Sequence, residues 1–362
     1  MKTIFDNVNV GKLNLKNRFI RSATAEKISD SDGIPPAKLT NMYKKLTEGE
    51  IGVIITGHAY VDRQGKAHSE MSAMDRDSLI EIWHNIIEPI KKTDTKIIMQ
   101  INHAGGSVDT KETPNPLSPS GISFNKKTES SKLTEEQIEN IIVKFARAAE
   151  RVKKAGFDGV QIHAAHGYLI NQFMLPYTNK RQDKWGGSIE NRFRILKNIL
   201  RLTREKVGDD FPIWIKLGVA GEEKFGLNID EGKIFAKMAF EEGANCIEIS
   251  NAASESKKIK KRKSIKYLPW AEEIRKEVGE DYDLALVNGF STLAEAKEVI
   301  EKRISDLISL CRPLIAEPDL VSKFKNIEDY EAKCIRCNQC WPDKTQHGVK
   351  CYNEKIRKTL ND

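Results

Sequence analysis

The sequence lacks several features that define other classes of protein. Hydrophobic residues make up 39% of the chain, yet no apolar run approaches the length that a membrane-spanning helix needs, about 20 residues. The opening MKTIFDNVNV has no apolar core of the kind that signal peptides carry. No Gly-x-Gly-x-x-Gly motif follows an apolar run, which argues against a Rossmann dinucleotide domain. We therefore expect a globular cytoplasmic protein without membrane contacts.

Strong net charge is also lacking. The chain carries a formal charge of +7 over 362 residues, which is modest for this length. One basic cluster stands out, formed by Lys257, Lys258, Lys260, Lys261, Arg262 and Lys263. A solvated loop explains this cluster better than an anion-binding patch does, and we expect no nucleic-acid partner.

Apolar runs typical of strands alternate with amphipathic helical segments along most of the chain. Eight such runs lie at 18 to 24, 52 to 60, 96 to 102, 159 to 164, 212 to 218, 246 to 251, 284 to 289 and 306 to 311. Helices are predicted at 134 to 155, which opens on a capping box of Thr134 and Gln137, at 188 to 207 and at 230 to 242. Eight units of strand and helix predict an α/β fold, a (β/α)8 TIM barrel rather than a doubly wound sheet.

The remaining segments complete this predicted architecture. Residues 4 to 17 are typical of a hairpin that turns at Gly11 and caps the barrel. Three insertions, at 104 to 133, 165 to 187 and 252 to 266, follow strand ends and extend the face where barrel enzymes bind substrate. We predict a barrel over residues 1 to 326 and a short cysteine-rich tail over residues 327 to 362.

Two polar residues alternate with apolar neighbours in predicted strands. Gln100 lies between Met99 and Ile101, and Lys216 lies between Ile215 and Leu217, so both polar side chains are expected to point into the barrel. A buried lysine is costly unless a negative charge meets it, which makes Lys216 a functional candidate. The structural alternative is a lysine whose ammonium group reaches solvent at the barrel rim.

A group of two histidines and a tyrosine follows the strand at 159 to 164. A turn at Ala165 would let His163, His166 and Tyr168 converge above the carboxyl end of the strand, where barrel enzymes place their chemistry. The three residues could be hydrogen-bond and proton donors, a metal site or satisfied core residues. No carboxylate lies nearby in sequence to complete a metal site. The residues alone leave functional and structural interpretations equally supported.

The end of the eighth predicted strand carries a candidate phosphate site. The loops after strands seven and eight commonly bind phosphate in such barrels, which makes Gly289 and Arg312 candidates. A structural pairing of Arg312 with Glu317 or Asp319 explains the arginine equally well.

Cysteine is scarce until the tail, where four of the six cysteines lie. Cys334, Cys337 and Cys340 follow one another at Cys-x-x-Cys spacing, and Cys351 comes later. Such clustering in a cytoplasmic protein indicates a metal site rather than disulfides. The spacing favours a [4Fe-4S] cluster, with structural zinc as the alternative and a metal-free tail as a third interpretation.

Three stretches together resemble the old yellow enzyme family of FMN-dependent ene-reductases. They are KNRFIRSAT at 16 to 24, QINHAGG at 100 to 106 and IHAAHGYLINQFMLPYTNKRQDKWGGSIENRFR at 162 to 194. The resemblance runs to about residue 326 and implies a (β/α)8 barrel with FMN across the carboxyl ends of its strands. The cysteine-rich tail is similar to the cluster-binding segment of the branch that contains 2,4-dienoyl-CoA reductase and trimethylamine dehydrogenase.

The resemblance assigns a role to individual residues of this chain. It implies that the flavin ring is bordered by Ala23, Thr24, Ala25, Gly57 and Gln100. Lys216 would lie near flavin N1 and O2, and the phosphate would be held by Gly289, Cys311 and Arg312. His163 and His166 would hold the carbonyl oxygen of the substrate, with Tyr168 as the proton donor.

The chain departs from the family pattern at Ala25, Lys27 and Cys311, the last of which replaces a smaller residue, and in the spacing of its tail cysteines. Ala25 stands where some bacterial ene-reductases have a cysteine, and Lys27 stands where they place a tyrosine that faces the substrate. The leading hypothesis is a reductase that passes hydride from NAD(P)H through FMN to an enone, enoate or enoyl-CoA. The alternatives are an amine dehydrogenase and an FMN and iron-sulfur module that relays electrons to a partner flavoprotein. We also expect a homo-oligomer.

Overall fold

The computed structural model describes residues 3–123, 129–253, 265–341 and 347–361. Its strands are β1 (Val8–Val10), β2 (Leu13–Leu15), β3 (Phe19–Arg21), β4 (Val53–Ile55), β5 (Ala59–Tyr60), β6 (Lys96–Asn102), β7 (Leu117–Ser118), β8 (Ser131–Lys132), β9 (Gly159–Ala164), β10 (Ile213–Ala220), β11 (Cys246–Asn251), β12 (Leu284–Val287) and β13 (Leu307–Leu310). Its α-helices are α1 (Leu39–Glu48), α2 (Leu79–Lys91), α3 (Glu135–Lys154), α4 (Leu169–Met174), α5 (Ile189–Val207), α6 (Ile229–Glu241), α7 (Leu268–Val278), α8 (Leu293–Glu301), α9 (Arg312–Ala316), α10 (Leu320–Asn326) and α11 (Glu354–Asn361).

A closed barrel of eight parallel strands forms the centre of the molecule. The strands follow one another around the barrel as β3, β4, β6, β9, β10, β11, β12 and β13, and β13 pairs with β3 to close it. At least one helix follows each of these strands in the chain, and the apolar faces of the helices pack on the outside of the barrel. This arrangement confirms the predicted TIM barrel.

The barrel interior is apolar at the amino-terminal end of the strands. Inward-facing side chains such as Ile20, Ile98 and Trp214 pack there against the hairpin of β1 and β2. The indole Nε1 of Trp214 donates to the carbonyl oxygen of Gly11, 3.0 Å away, and Gly11 has a left-handed φ of +56°. A Cβ at this glycine would lie 2.4 Å from the indole nitrogen. The hairpin therefore closes this end, as predicted, and leaves the opposite end for chemistry.

Most element boundaries agree with the sequence prediction. β6, β9 and β11 match the predicted ranges, and the capping box of Thr134 and Gln137 begins α3. The run predicted as one strand at 52 to 60 is divided into β4 and β5. The division has a local cause, because the backbone N–H of Gly57 donates to a Glu26 carboxylate oxygen at 2.7 Å instead of to a strand.

The tail lies against the carboxyl-end loops of the barrel. The backbone N–H of Ala332 donates to the carbonyl oxygen of Ser291 at 2.8 Å, and that of Val349 donates to Glu26 at 2.9 Å. Within the described ranges, every helix is too short or too polar to span a lipid bilayer. The basic cluster at 257 to 263 lies outside the described residues.

Candidate active site

A chain of buried polar side chains crosses the carboxyl-end half of the barrel interior. The amide Nε2 of Gln100 donates to Oε1 of Gln161 at 2.7 Å, and Nε2 of Gln161 donates to Oε2 of Glu248 at 3.0 Å. All three side chains are buried. Each of the three residues occupies a strand position whose side chain faces the barrel interior, one inward-facing position closer to the carboxyl end than the apolar layer. The interior thus changes from apolar to polar towards the carboxyl ends of the strands.

Glu248 is the centre of this network and the counter-ion of Lys216. The other carboxylate oxygen, Oε1, accepts from Ser22 and Ser309 hydroxyls at 2.6 Å each and lies 3.0 Å from Lys216 Nζ. The ammonium group also donates to Ser22 Oγ at 2.8 Å. Burial raises the pKa of Glu248, but the charge of Lys216 and the hydrogen bonds from Ser22, Ser309 and Lys216 together lower it below its usual value. The structural alternative of a lysine extended to the rim is therefore wrong.

A cleft of about 190 Å³ opens above this network. Its wall contains three cationic side chains, Lys216, Arg312 and Arg336, and no carboxylate among the described residues. The wall also includes Ala23, His166, Gly289 and Cys311. Lys216 already has Glu248 as its counter-ion, but the two guanidinium groups add further positive charge to the wall. This favours an anionic ligand, because partly desolvated like charges repel unless a negative charge lies between them. The cleft therefore fits a phosphorylated cofactor such as FMN.

Arg312 does not pair with Glu317 or Asp319, the structural partners considered for it from the sequence; both carboxylates pair with Lys323. Arg312 Nη1 donates to Oδ1 of Asn338 at 2.8 Å, and Arg312 forms no ion pair within the described part of the chain. Glu317 instead accepts from the Tyr330 hydroxyl at 2.5 Å and from the backbone N–H of Lys333 at 2.6 Å. The guanidinium group of Arg312 thus stays in the cleft wall.

The predicted flavin-bordering residues are only partly assembled. Ala23 lines the cleft, and Thr24 Oγ1 lies 3.1 Å from Cys311 Sγ. Ala25 is half-buried and does not line this cleft. Close packing requires a glycine at position 57 independently of the flavin, since a Cβ at Gly57 would lie 2.0 Å from Glu26 Oε2. Sequence resemblance alone could not have revealed this second reason for the glycine.

The two predicted histidines and the tyrosine converge after β9, as the expected turn requires. His166 and Gly167 have left-handed φ values of +62° and +72°, which turn the chain back over the barrel. The ring centroids lie 5.0 Å apart for His163 and His166 and 4.9 Å apart for His163 and Tyr168. His166 Nε2 also lies 2.8 Å from Ser250 Oγ, a neighbour that the sequence prediction omitted.

Burial keeps all three of these side chains neutral. It is the main cause that lowers the pKa of His163 well below its usual value and that of His166 to about 3, with Lys216 adding to both shifts. Burial also raises the pKa of Tyr168 to about 12. The backbone N–H of Ala165 donates to His163 Nδ1 at 3.2 Å, so the neutral imidazole carries its proton on Nε2. The group therefore offers neutral hydrogen-bond donors at neutral pH.

A third histidine beside this group was not predicted. The ring centroid of His58 lies 5.3 Å from that of Tyr168 and 6.1 Å from that of His163. Burial, with smaller contributions from His68 and Lys27, lowers the pKa of His58 to about 3. His58 lies in the short connection between β4 and β5, and a histidine in such a connection after a barrel strand is the sequence signal that could have identified it.

The four tail cysteines share one small cavity. Cys334, Cys337, Cys340 and Cys351 all line a space of about 20 Å³ beside Arg312. Burial raises the pKa of the Cys334 thiol and raises that of Cys340 to about 11. No set of three or more His, Cys, Asp or Glu side chains in the described ranges is grouped closely enough to hold a metal ion. Four thiols are suitable ligands for an iron-sulfur cluster or zinc, and their sulfur atoms would have to move closer together to bind either.

Comparison with known proteins identifies the family. The family model described as NADH:flavin oxidoreductase / NADH oxidase matches residues 3–329. The chain is 34% identical over 344 residues to an NADH oxidase of Thermoanaerobacter brockii, covering 92% of this chain and 52% of that protein. It is 31% identical over 320 residues to an NADPH dehydrogenase of a Geobacillus species, covering 87% and 91%. A metal reductase of Desulforamulus reducens is 30% identical over 347 residues, covering 94% and 51%.

Solved structures agree with this assignment. A 2-naphthoyl-CoA reductase in complex with 2-naphthoyl-CoA superposes with a TM-score of 0.87 at 25% identity, covering 93% of this chain and 54% of that one. An old yellow enzyme homologue from Zymomonas mobilis, at 24% identity, shares the fold with a TM-score of 0.78. The chain spans about half the length of the NADH oxidase and the metal reductase. The chain belongs to the NADH:flavin oxidoreductase / NADH oxidase family, which confirms the resemblance to old yellow enzymes.

Proposed function

We propose that this chain is an FMN-dependent oxidoreductase of the ene-reductase type, which reduces the alkene of an α,β-unsaturated carbonyl compound. The observation that carries the proposal is the juxtaposition of two environments at one barrel end. A cleft with Lys216, Arg312 and Arg336 in its wall adjoins a group of neutral, buried hydrogen-bond donors. The first suits a phosphorylated cofactor, and the second suits a carbonyl oxygen that gains negative charge.

The cationic cleft supplies the cofactor side of the proposed site. Gly289, Cys311 and Arg312 are proposed to hold the FMN phosphate, and Lys216 to lie beside the flavin pyrimidine. Ala23, Thr24, Ala25, Gly57 and Gln100 are proposed to border the flavin ring. When bound, FMN would accept hydride from NAD(P)H and pass it to the β-carbon of the substrate. Lys216 is held in place by Glu248 and Ser22, so its ammonium group is oriented before any ligand arrives.

The neutral donor group supplies the substrate side. His163 and His166 are proposed to donate hydrogen bonds to the substrate carbonyl oxygen, which strengthen as that oxygen becomes enolate-like. The Nε2 proton of His163 is suited to this role because Nδ1 already accepts from the backbone. Tyr168 keeps its proton at neutral pH and is proposed to deliver it to the α-carbon. Amine dehydrogenation, the alternative reaction, needs no such carbonyl clamp.

Names of relatives guide the choice of substrate class and donor. The NADPH dehydrogenases and the NADH oxidase support a nicotinamide donor. The structure of 2-naphthoyl-CoA reductase contains 2-naphthoyl-CoA, the CoA thioester of an aromatic acid, which supports a CoA thioester among the candidate substrates. Enones and enoates share the same conjugated carbonyl and stay within the proposal. Location in the cytoplasm and assembly as a homo-oligomer stay predictions.

The tail is proposed to hold a [4Fe-4S] cluster through Cys334, Cys337, Cys340 and Cys351, with zinc as the alternative. The shared cavity of the four cysteines supports this proposal. A cluster next to the cofactor cleft would connect the flavin with an electron-transfer partner protein. Iron, acid-labile sulfide and zinc analysis of anaerobically purified protein distinguishes the two metals. Protein with neither metal would contradict both.

Replacement of Tyr168 with Phe tests the proposed reaction. Stopped-flow absorbance would follow flavin reduction by NAD(P)H and flavin reoxidation by cyclohexenone as separate half-reactions. Because Phe lacks the hydroxyl proton, Tyr168→Phe should slow reoxidation by about 10²-fold while sparing reduction. Tyr177→Phe is the matched control, since Tyr177 is half-buried and packs edge-on against Phe225 away from the donor group. Equal slowing of both half-reactions by Tyr168→Phe would contradict the proton-donor role.

A further inference from the structure

The cysteine segment at 334 to 340 contributes to the wall of the cofactor cleft. Arg312 and Arg336 line both the cleft and the cavity that the four cysteines share. Arg312 belongs to the barrel, at the start of α9, whereas Arg336 lies between two of the tail cysteines. The two cavities are thus separated by a pair of guanidinium groups, and neither sequence pattern nor family resemblance pointed to Arg336.

Arg336 reaches back to the loop after β12. One of its terminal nitrogens, Nη2, donates to the carbonyl oxygen of Gly289 and to Ser291 Oγ, the latter at 2.6 Å. This loop is where barrel enzymes commonly bind phosphate. The backbone of Arg336 has a left-handed φ of +58°, which is unfavourable for an arginine. Backbone strain of this kind persists where contacts enforce it and is concentrated at ligand sites.

A second residue with a left-handed backbone connects the same segment to Arg312. Asn338 has a φ of +63°, and its Oδ1 accepts from Arg312 Nη1 at 2.8 Å. The cysteine segment therefore affects both guanidinium groups of the cleft. It supplies Arg336 itself, and its Asn338 holds the side chain of Arg312. A movement of the cysteines would move Arg336 and release Arg312 from Asn338.

We propose that Arg336 is a second guanidinium ligand for the phosphate monoester of FMN, supplied to the barrel by the cysteine segment. The inference rests on the proposed function, because it requires FMN in the cleft. A planar guanidinium group matches phosphate oxygens in geometry and keeps its charge at every physiological pH. Affinity for FMN then depends on the conformation of the cysteine segment, which couples the tail to the cofactor.

Titration of the flavin-free full-length protein with FMN and with riboflavin tests this role. Riboflavin has the same ring and ribityl chain but no phosphate, so it reports the rest of the site. Arg336→Gln should raise the Kd for FMN by about tenfold or more and change the Kd for riboflavin less than about twofold, as measured by flavin fluorescence. Arg303→Gln is the matched control, since Arg303 also has a left-handed φ, of +54°, and pairs with Glu280 on the exposed surface. It should change neither Kd.

A second variant separates the side chain from the backbone. Arg336→Gly keeps a residue that accepts the left-handed conformation, so the segment can keep its path while the guanidinium group is lost. It should weaken FMN binding as Arg336→Gln does. An unchanged Kd for FMN in both variants overturns the inference. If the variants raise only the KM for NADPH, Arg336 binds the phosphate of NADPH and not that of FMN, and the inference is overturned as well. If the unmodified chain binds neither flavin, the proposed function itself fails.

Discussion

The polar layer inside the barrel and the cysteine segment of the tail organise their charged and reactive groups in opposite ways. In the barrel, Lys216 and Glu248 are direct register partners on neighbouring strands, and both are buried and hydrogen-bonded. In the tail, Cys337 is exposed and the segment at 334 to 340 is neither strand nor helix. Strand pairing thus fixes the barrel groups before any ligand binds. The positions of the cysteines depend on loop conformation.

The largest expected effect comes from breaking the buried pair. Lys216→Met removes the ammonium group and leaves Glu248 fully buried without its counter-ion. Loss of one member of such a pair should lower the free energy of unfolding by about 3 to 5 kcal/mol, measured by urea denaturation of the flavin-free protein. The double variant Lys216→Met with Glu248→Gln removes both charges and should recover most of that stability.

The same pair of variants separates stability from chemistry. The double variant still lacks the cation beside the proposed flavin site, so flavin reduction by NAD(P)H should remain slow although the fold is recovered. Full recovery of the reduction rate would show that Lys216 serves only the fold.

Acid should also affect the barrel strongly. His58 binds no proton in the folded state until about pH 3, whereas the unfolded chain binds one near its usual pKa of about 6.5. The free energy of unfolding should therefore fall as the pH falls below about 6.5, by roughly 2 kcal/mol for this histidine between pH 7 and pH 5. Between pH 7 and pH 5, the free energy of unfolding of His58→Gln should fall by about 2 kcal/mol less than that of the unmodified protein, measured by urea titration at both pH values. Equal losses would show that His58 is accessible to protons in the folded state.

The inward layer of the barrel was largely predictable, because period-two alternation fixes which side chains face the interior. Gln100 and Lys216 were identified in this way, and the same parity marks Gln161 and Glu248. The pairing of Lys216 with Glu248 was not predicted, since it depends on the register of two strands, and the two residues lie 32 positions apart in the sequence (248 − 216). Register is set by packing that a single sequence does not display.

The tail was less predictable for a different reason. Residue type alone identified Cys334, Cys337, Cys340 and Cys351 as a donor set. Their separation, and the reach of Arg336 to Gly289, depend on left-handed backbone at residues that are not glycine. No periodicity marks such positions in a sequence.

The smallest expected effect comes from the tail itself. Cys337→Ser should remove the proposed metal, measured as iron or zinc per chain. It should change the free energy of unfolding of the flavin-free barrel by less than about 0.5 kcal/mol, because Cys337 is exposed. A loss as large as that of Lys216→Met would show that the tail is part of the barrel fold, against the predicted division after residue 326.

The cationic cleft at the carboxyl end of the barrel is proposed to bind FMN. The most direct measurement is the absorption spectrum of the anaerobically purified full-length protein, followed by chromatography of the cofactor released on denaturation. We expect flavin bands in the visible region and FMN as the released flavin, at about one molecule per chain. A protein with no flavin, or one that releases FAD in place of FMN, would contradict this proposal.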